Sequence, residues 1–171
     1  ACQAEIIRTI AKAKGDVRIP FSVFKTTGVV RFGLLEKINA GTALSAEEQA
    51  EWERAQKRVD GIAKAAFEAG QPLFIDAEES WIQDAIDALA TQMMERYNRE
   101  APIVYNTIQL YRHDRLAYMK QAFATAREKG YWYAVKLVRG AYMEKERERA
   151  AERGYASPIQ PDKAASDRDY N

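Results

Sequence analysis

The chain has 171 residues, and its 26 Lys and Arg almost balance its 25 Asp and Glu, for a formal charge of +1. That length suits one domain, and near-neutrality leaves no whole-molecule field to gather nucleic acid or an anionic membrane. A single cysteine, Cys2, and a single histidine, His113, exclude a disulfide framework and the usual ligand sets of zinc, so no metal is expected.

The spacing of Ile6, Ile7 and Ile10 predicts a helix from Cys2 to Lys14, with Gly15 as its stop. Glu5 and Arg8 interrupt that apolar pattern, which is not a signal core, and no later run approaches the ~20 apolar residues of a membrane span. The chain therefore reads as soluble and intracellular. Val17 to Phe24 carries strand-forming residues, although Pro20 withholds one ladder donor. Ser45-Ala46-Glu47-Glu48 has the form of a capping box and predicts a helix to Gly70, with Trp52, Val59, Ile62, Ala66 and Phe67 turned inward.

A second strand is expected at Pro72 to Ile75, handing over to a helix whose start, Ser80-Trp81-Ile82-Gln83, offers another capping box. The cycle returns with strand Ile103 to Thr107 and helix Asp114 to Lys129, then with strand Trp132 to Val138 after Gly130. Glu144 to Arg149 reads as a solvated helix face laced by pairs three and four residues apart. Asp162 to Asn171 reads as a helix beginning.

The last three strands start about 30 residues apart, the length of a βα unit. Alternating strands and helices predict an α/β fold with a parallel sheet covered on both faces. Periodicity alone does not separate a barrel from an open doubly wound sheet, since both repeat this unit. Four strands are half of eight, so the expectation is a partial (β/α)8 TIM-like barrel, about four βα units after an N-terminal helix, forming one domain over 1–171 and stopping mid-fold.

Parallel sheets gather ligands at the carboxyl ends of their strands. Here those ends are polar: Lys25-Thr26-Thr27-Gly28, Asp76-Ala77-Glu78, Asn106-Thr107-Ile108-Gln109, and Lys136-Leu137-Val138-Arg139-Gly140-Ala141-Tyr142. Sharing one mouth, they would combine two or three cations, a carboxylate, an amide and a tyrosine. Taken singly, Lys25 could be a loop lysine, Asp76 a helix cap, Gln109 a partner for loop amides, and His113 a surface or capping group. Lys136 is more specific, because it alternates with Val135 and Leu137 and would face a barrel interior, where a lysine needs a partner or a ligand. Gly140-Ala141 removes bulk beside it, so backbone could approach a flat anionic or electron-accepting ligand walled by Tyr142; a tight strand-to-helix turn is the other reading.

Lys136 to Arg147, KLVRGAYMEKER, resembles the signature of proline dehydrogenases, and Phe24-Lys25-Thr26-Thr27-Gly28, Phe74-Ile75-Asp76-Ala77-Glu78-Glu79 and Asn106-Thr107-Ile108-Gln109-Leu110-Tyr111 are similar to the family's other strand-end motifs, in the same order. The resemblance implies a distorted (β/α)8 barrel holding FAD noncovalently. It also implies hydride removal from C5 of L-proline to the flavin, giving Δ1-pyrroline-5-carboxylate, with a quinone as the next acceptor and peripheral membrane contact by a cytoplasmic protein.

By the same likeness Lys25 binds the substrate carboxylate, Asp76 organises the polar network and Tyr142 walls the pocket. Lys136 serves the flavin N5 region, Gln109 bonds the flavin ring, and Arg139, Gly140 and Ala141 line the cofactor chain and phosphates. Met143 departs from the tryptophan of bifunctional relatives. The family's paired arginines for the proline carboxylate would lie beyond Asn171, so a fragment inactive alone is expected. The alternative is a noncatalytic half-barrel module that recruits a second copy through exposed sheet edges. A phosphate-binding barrel of another class would show a glycine-rich loop after a late strand, and none is seen.

Overall fold

The computed structural model describes residues 2–171. Helix α1 (Cys2–Ala13) precedes four strands, β1 (Ser22–Lys25), β2 (Leu73–Asp76), β3 (Val104–Gln109) and β4 (Val135–Val138), which lie in one parallel sheet in chain order. Between them run α2 (Phe32–Asn39) and α3 (Ala46–Ala69), then α4 (Ser80–Tyr97), then α5 (Arg115–Lys129); α6 (Met143–Arg153) and α7 (Lys163–Tyr170) follow β4. Sequential parallel strands with helices in every crossover are the repeat expected of a (β/α) barrel. No helix among the described residues is long and apolar enough to cross a membrane.

Burial alternates along β1 and β2, whereas β3 is buried at every residue but Tyr105. Phe24, Leu73, Ile75 and Val104 are buried against a helical layer that supplies Leu34, Leu35, Val59, Ile62, Ile86, Leu89 and Met94. Each such side chain contributes roughly 2 kcal/mol on leaving water. The intervening residues Val23, Lys25, Phe74, Asp76 and Tyr105 form the other face. On it Phe21 stacks on Phe74 at 4.3 Å, with Tyr105 edge-on to both at 5.4 Å. These rings make an apolar floor, and the polar strand ends stand beyond it.

Several local expectations are corrected. Strand β1 begins at Ser22, past Pro20, and Val17 is 93% exposed. Helix α2 was not foreseen, its eight residues being too short to display a period. The Ser45/Glu48 capping box forms in full and α3 ends at left-handed Gly70, but Phe67 is 46% exposed and lies against Tyr97, while Ala55 and Ala63 take the inward positions. No capping box forms at Ser80. Glu79 is the N-cap without a side-chain bond, and the Gln83 amide oxygen accepts instead from the Glu78 amide at 2.8 Å.

In the charge run of α6, Glu144, Lys145, Arg147 and Glu148 are exposed as expected, but Glu146 is not, and the ion pairs differ from those expected within the helix. Glu146 is 1% exposed and binds Ser80, Lys145 reaches Glu79 at 2.5 Å, and Arg149 reaches Glu36 at 2.9 Å. Partners on other elements replace pairs within the helix because its first turns lie against the start of α4.

Asn98 ends α4 and joins three elements. Fully buried, its amide donates to Val104 O (2.7 Å) and Trp132 O (3.0 Å), and its carbonyl accepts from Ile103 N (3.0 Å) and Val104 N (2.8 Å). Asn98→Ala leaves those backbone groups without partners in the interior. It is expected to lower unfolding free energy by about 3 kcal/mol, read from the shift in urea midpoint; a shift equivalent to under ~0.5 kcal/mol, the ordinary surface range, would show that water replaces the amide without loss.

Candidate active site

The register places Lys25 directly opposite Asp76 on neighbouring strands, and Thr107 opposite Lys136. Asp76 receives both cations, with Lys136 Nζ 2.5 Å from Oδ1 and Lys25 Nζ 3.1 Å from Oδ2. Lys25 also donates to the Tyr142 hydroxyl at 3.2 Å. Lys136 Nζ stands 5.3 Å above the Phe74 ring, so the floor meets the charged group directly. Around them lies a hollow of about 350 Å³ lined also by Ala77, Thr107, Gln109, Tyr111, Val138 and Ala141.

Burial alone would raise the Asp76 carboxyl, but hydrogen bonds and charge from Lys136 and Lys25 outweigh it and hold the group below the ordinary carboxylate range. For Lys25, partial burial favours the neutral form, yet the Tyr142 and Asp76 oxygens prevail and raise its pKa. Both groups are charged across neutrality. One carboxylate between two ammonium groups leaves a net positive mouth suited to an anion.

Lys25, Asp76, Gln109, Lys136, Ala141 and Tyr142 thus converge. Arg139 does not join them; its guanidinium meets Asp167 at 3.3 Å and lies 4.2 Å over the Tyr170 ring, on α7. Gly140 is likewise outside the lining, and a Cβ there would meet only Met143 Sδ at 3.5 Å, an ordinary contact. Chain packing does not require glycine at that position. His113 is exposed, and its backbone amide donates to Pro158 O at 3.0 Å.

Other side chains were missed in the sequence. Tyr111 is fully buried, and its hydroxyl accepts from Gln109 Nε2 at 2.8 Å; burial raises its pKa, so it stays neutral. Thr107 donates to Ile75 O at 2.9 Å. The period of two along β3 was the available signal, because it puts Tyr105, Thr107 and Gln109 on one face and turns Asn106 to the helices. Glu78 accepts from the Thr27 amide (3.0 Å) and hydroxyl (2.5 Å), fastening the loop after β1 to the loop after β2.

Behind the sheet is a buried ion pair with no sequence signature. Arg115 Nη2 lies 2.5 Å from Asp87 Oδ2, and Asp87 Oδ1 accepts from Gln83 (2.9 Å) and Asn106 (2.8 Å). Burial pushes the Asp87 carboxyl up, opposed by Arg115 and the two amides. The bonds continue through Gln83 to the Glu78 backbone, whose carbonyl accepts from Gln109 Nε2 at 2.6 Å.

Comparison with known proteins gives the family and the fold. Human mitochondrial proline dehydrogenase 1 is 40% identical over 125 residues, covering 73% of this chain and 21% of the relative. A hydroxyproline dehydrogenase of Xenopus laevis is 37% identical over 134 residues, covering 78% and 29%. The chain thus spans between a fifth and a third of the length of these relatives. Among solved structures, proline utilization A (PutA) from Bdellovibrio bacteriovorus, crystallised after inactivation by N-propargylglycine, superimposes with a TM-score of 0.80 over 98% of this chain and 18% of its own, at 18% identity that speaks to fold alone. The family model described as proline dehydrogenase matches residues 2–171, and the chain belongs to the proline dehydrogenase family.

Proposed function

We propose that this chain forms part of a catalytic barrel domain, spanning 1–171, that oxidises L-proline to Δ1-pyrroline-5-carboxylate. The observation that carries the reading is the Lys25–Asp76–Lys136 bridge across the carboxyl ends of three parallel strands, opening on a hollow walled by Tyr142. Oxidation removes a hydride from C5 and a proton from the ring nitrogen. When bound, FAD supplies the two-electron acceptor for that hydride, and delivery onward to a quinone, by peripheral contact of a cytoplasmic protein with a membrane, belongs to the same proposal.

The residues present suit a flavin. Gln109 Nε2 is engaged by Glu78 O and Tyr111, but its carbonyl meets only Arg112 at 3.5 Å and keeps acceptor capacity for a ring N–H. Lys136 would hold positive charge beside the ring edge. The open face at Gly140 and Ala141, which chain packing leaves unused, would admit the cofactor chain, and Arg139 could turn from Asp167 to a phosphate.

For the substrate, Lys25 is the group to bind the carboxylate, since its ammonium is half exposed and keeps a donor beyond Asp76 and Tyr142. Asp76 keeps Lys25 charged and aimed, and Tyr142 closes the side of the hollow against water. Relatives named for proline and for hydroxyproline both match, so the substrate class is a five-membered cyclic imino acid. The free edges of β1 and β4 favour a second reading, a noncatalytic half-barrel that pairs with another copy. Native mass with and without FAD separates the two.

The 171-residue chain alone is expected to reduce no dye with proline, whereas co-expression with the remaining barrel strands of a relative restores proline-dependent dye reduction. Robust turnover by the chain alone would overturn the half-site reading, and complementation that yields a folded, FAD-loaded complex without turnover would overturn the function. In that complex Asp76→Asn should lower kcat/KM by roughly 100-fold, the scale of losing a charge-assisted bond; an unchanged value removes Asp76 from the mechanism.

The pH dependence has a definite sign. The lowered Asp76 pKa contributes stability that is present above the ordinary carboxylate value and lost as pH falls through the folded value. The raised Lys25 pKa contributes stability present below the ordinary lysine value and lost as pH rises through the folded one. Urea midpoints of the wild-type chain should therefore fall more steeply than those of Asp76→Asn as pH drops below about 4. Parallel profiles would show that the bridge is not linked to folding.

A further inference from the structure

Tyr142 is the one non-glycine residue with positive φ among the described residues, at φ 52 and ψ 2. A bulky side chain disfavours that region, and such a conformation persists only where its surroundings over-determine it. Tyr142 is also the N-cap of α6 and makes no side-chain capping bond. Its hydroxyl is on Lys25 instead, with Lys25 Nζ 5.6 Å from the ring centroid.

The contacts that hold this turn lie one helical turn on. The Glu146 amide donates to Tyr142 O at 2.9 Å. The Glu146 carboxylate accepts from both the amide and the hydroxyl of Ser80, each at 2.6 Å. Ser80 opens α4 just after the strand end that carries Asp76, so one carboxylate joins the turn bearing Tyr142 to the turn bearing Asp76. Beside it Lys145 pairs with Glu79, and Lys145 and Arg149 cover the Trp81 ring at 5.6 and 4.1 Å.

A helix start can be capped by its own neighbouring side chain. Here the local candidate, Glu79, is drawn away to Lys145, and the cap comes from a residue 66 positions along the chain. Capping α4 does not need so distant an acceptor; fixing α6 does.

We propose that Glu146 is a positioning residue for the substrate hollow: clamped on the first turn of α4, it holds Tyr142 in its left-handed conformation with the hydroxyl against Lys25. The inference rests on reading that hollow as the proline site. Lys145, Arg149 and Trp81 brace the same turn from the side.

The test is nuclear magnetic resonance of the isotopically labelled 171-residue chain. Wild type should show a strong intraresidue amide-to-Hα Overhauser effect at Tyr142, the mark of positive φ, and contacts between the Tyr142 ring and the Lys25 methylenes. Glu146→Ala should lose both. Glu146→Gln, which can accept from the Ser80 amide and donate to its hydroxyl, should keep both.

Retention of both signals in Glu146→Ala, or their loss in Glu146→Gln, overturns the proposal. Should Glu146→Ala fail to fold, Ser80→Ala takes its place: weakened signals support the clamp, and unchanged signals overturn it. Dye reduction in the complemented enzyme addresses the functional reading separately, since intact Overhauser signals without turnover sink that reading alone.

Discussion

Two ammonium groups cannot be drawn to one place without an anion between them, and Asp76 is that anion. Like charges drawn together repel, and Lys25 and Lys136 share the mouth through the ionised Asp76 that accepts from both. The sheet supplies the geometry. Lys25 and Asp76 are direct neighbours across β1 and β2, but Lys136 must reach Asp76 from β4 across the whole of β3. Strands lie about 4.8 Å apart, so that span is about twice the spacing, and the Lys136 and Asp76 side chains cover it between them only if the intervening side chain is short. Thr107 stands opposite Lys136 and is turned aside onto Ile75 O. A long side chain there would block the bridge.

The opposite face of the same strand carries the support. Asn106 points away from the hollow to Asp87, and the bonds run from Arg115 through Asp87 and Gln83 to the Glu78 backbone and back through the sheet to Gln109. A buried ion pair is a poor source of net stability, because desolvation offsets its attraction. Its use here is directional. It fixes Gln83, hence the Glu78 turn, and Glu78 in turn ties down Thr27, so that the loops after β1 and β2 cannot slide past each other.

Much of this was legible in the chain. Three apolar runs at βα spacing, with the β-branched and aromatic run before them, gave four parallel strands, and the polar residues ending them gave Lys25, Asp76, Gln109, Lys136 and Tyr142 in one hollow. What escaped was whatever depended on a partner far along the sequence. Ser80 and Gln83 have capping-box spacing, but Glu146 and the Glu78 amide claim them first. Glu144 to Arg149 has the pattern of a solvated face and most of it is exposed, but the approach of α4 buries Glu146 within it. Phe67 satisfied the helical period, yet it is exposed, while Ala55, Ala63 and Ala66 are buried. Periodicity identifies a face; it does not say where on that face another element will come closest.

Arg139 shows how far local chemistry can constrain a site and where it stops. By sequence it follows the Lys136 strand and belongs with the other cations, but a third positive group beside Lys25 and Lys136 would have only one carboxylate to share. The chain resolves the excess by sending Arg139 to α7, where Asp167 and the Tyr170 ring receive it. Both contacts are at the surface, where solvent screening leaves an ion pair of this kind little net stabilisation. A cofactor phosphate presented at the open Gly140 face would compete readily for that guanidinium, because a charge-assisted bidentate bond outweighs a solvated one. Weak tethering of the third cation is therefore compatible with ligand binding in a way that strong tethering would not be, and it keeps Arg139 out of a mouth whose one carboxylate already serves two ammonium groups.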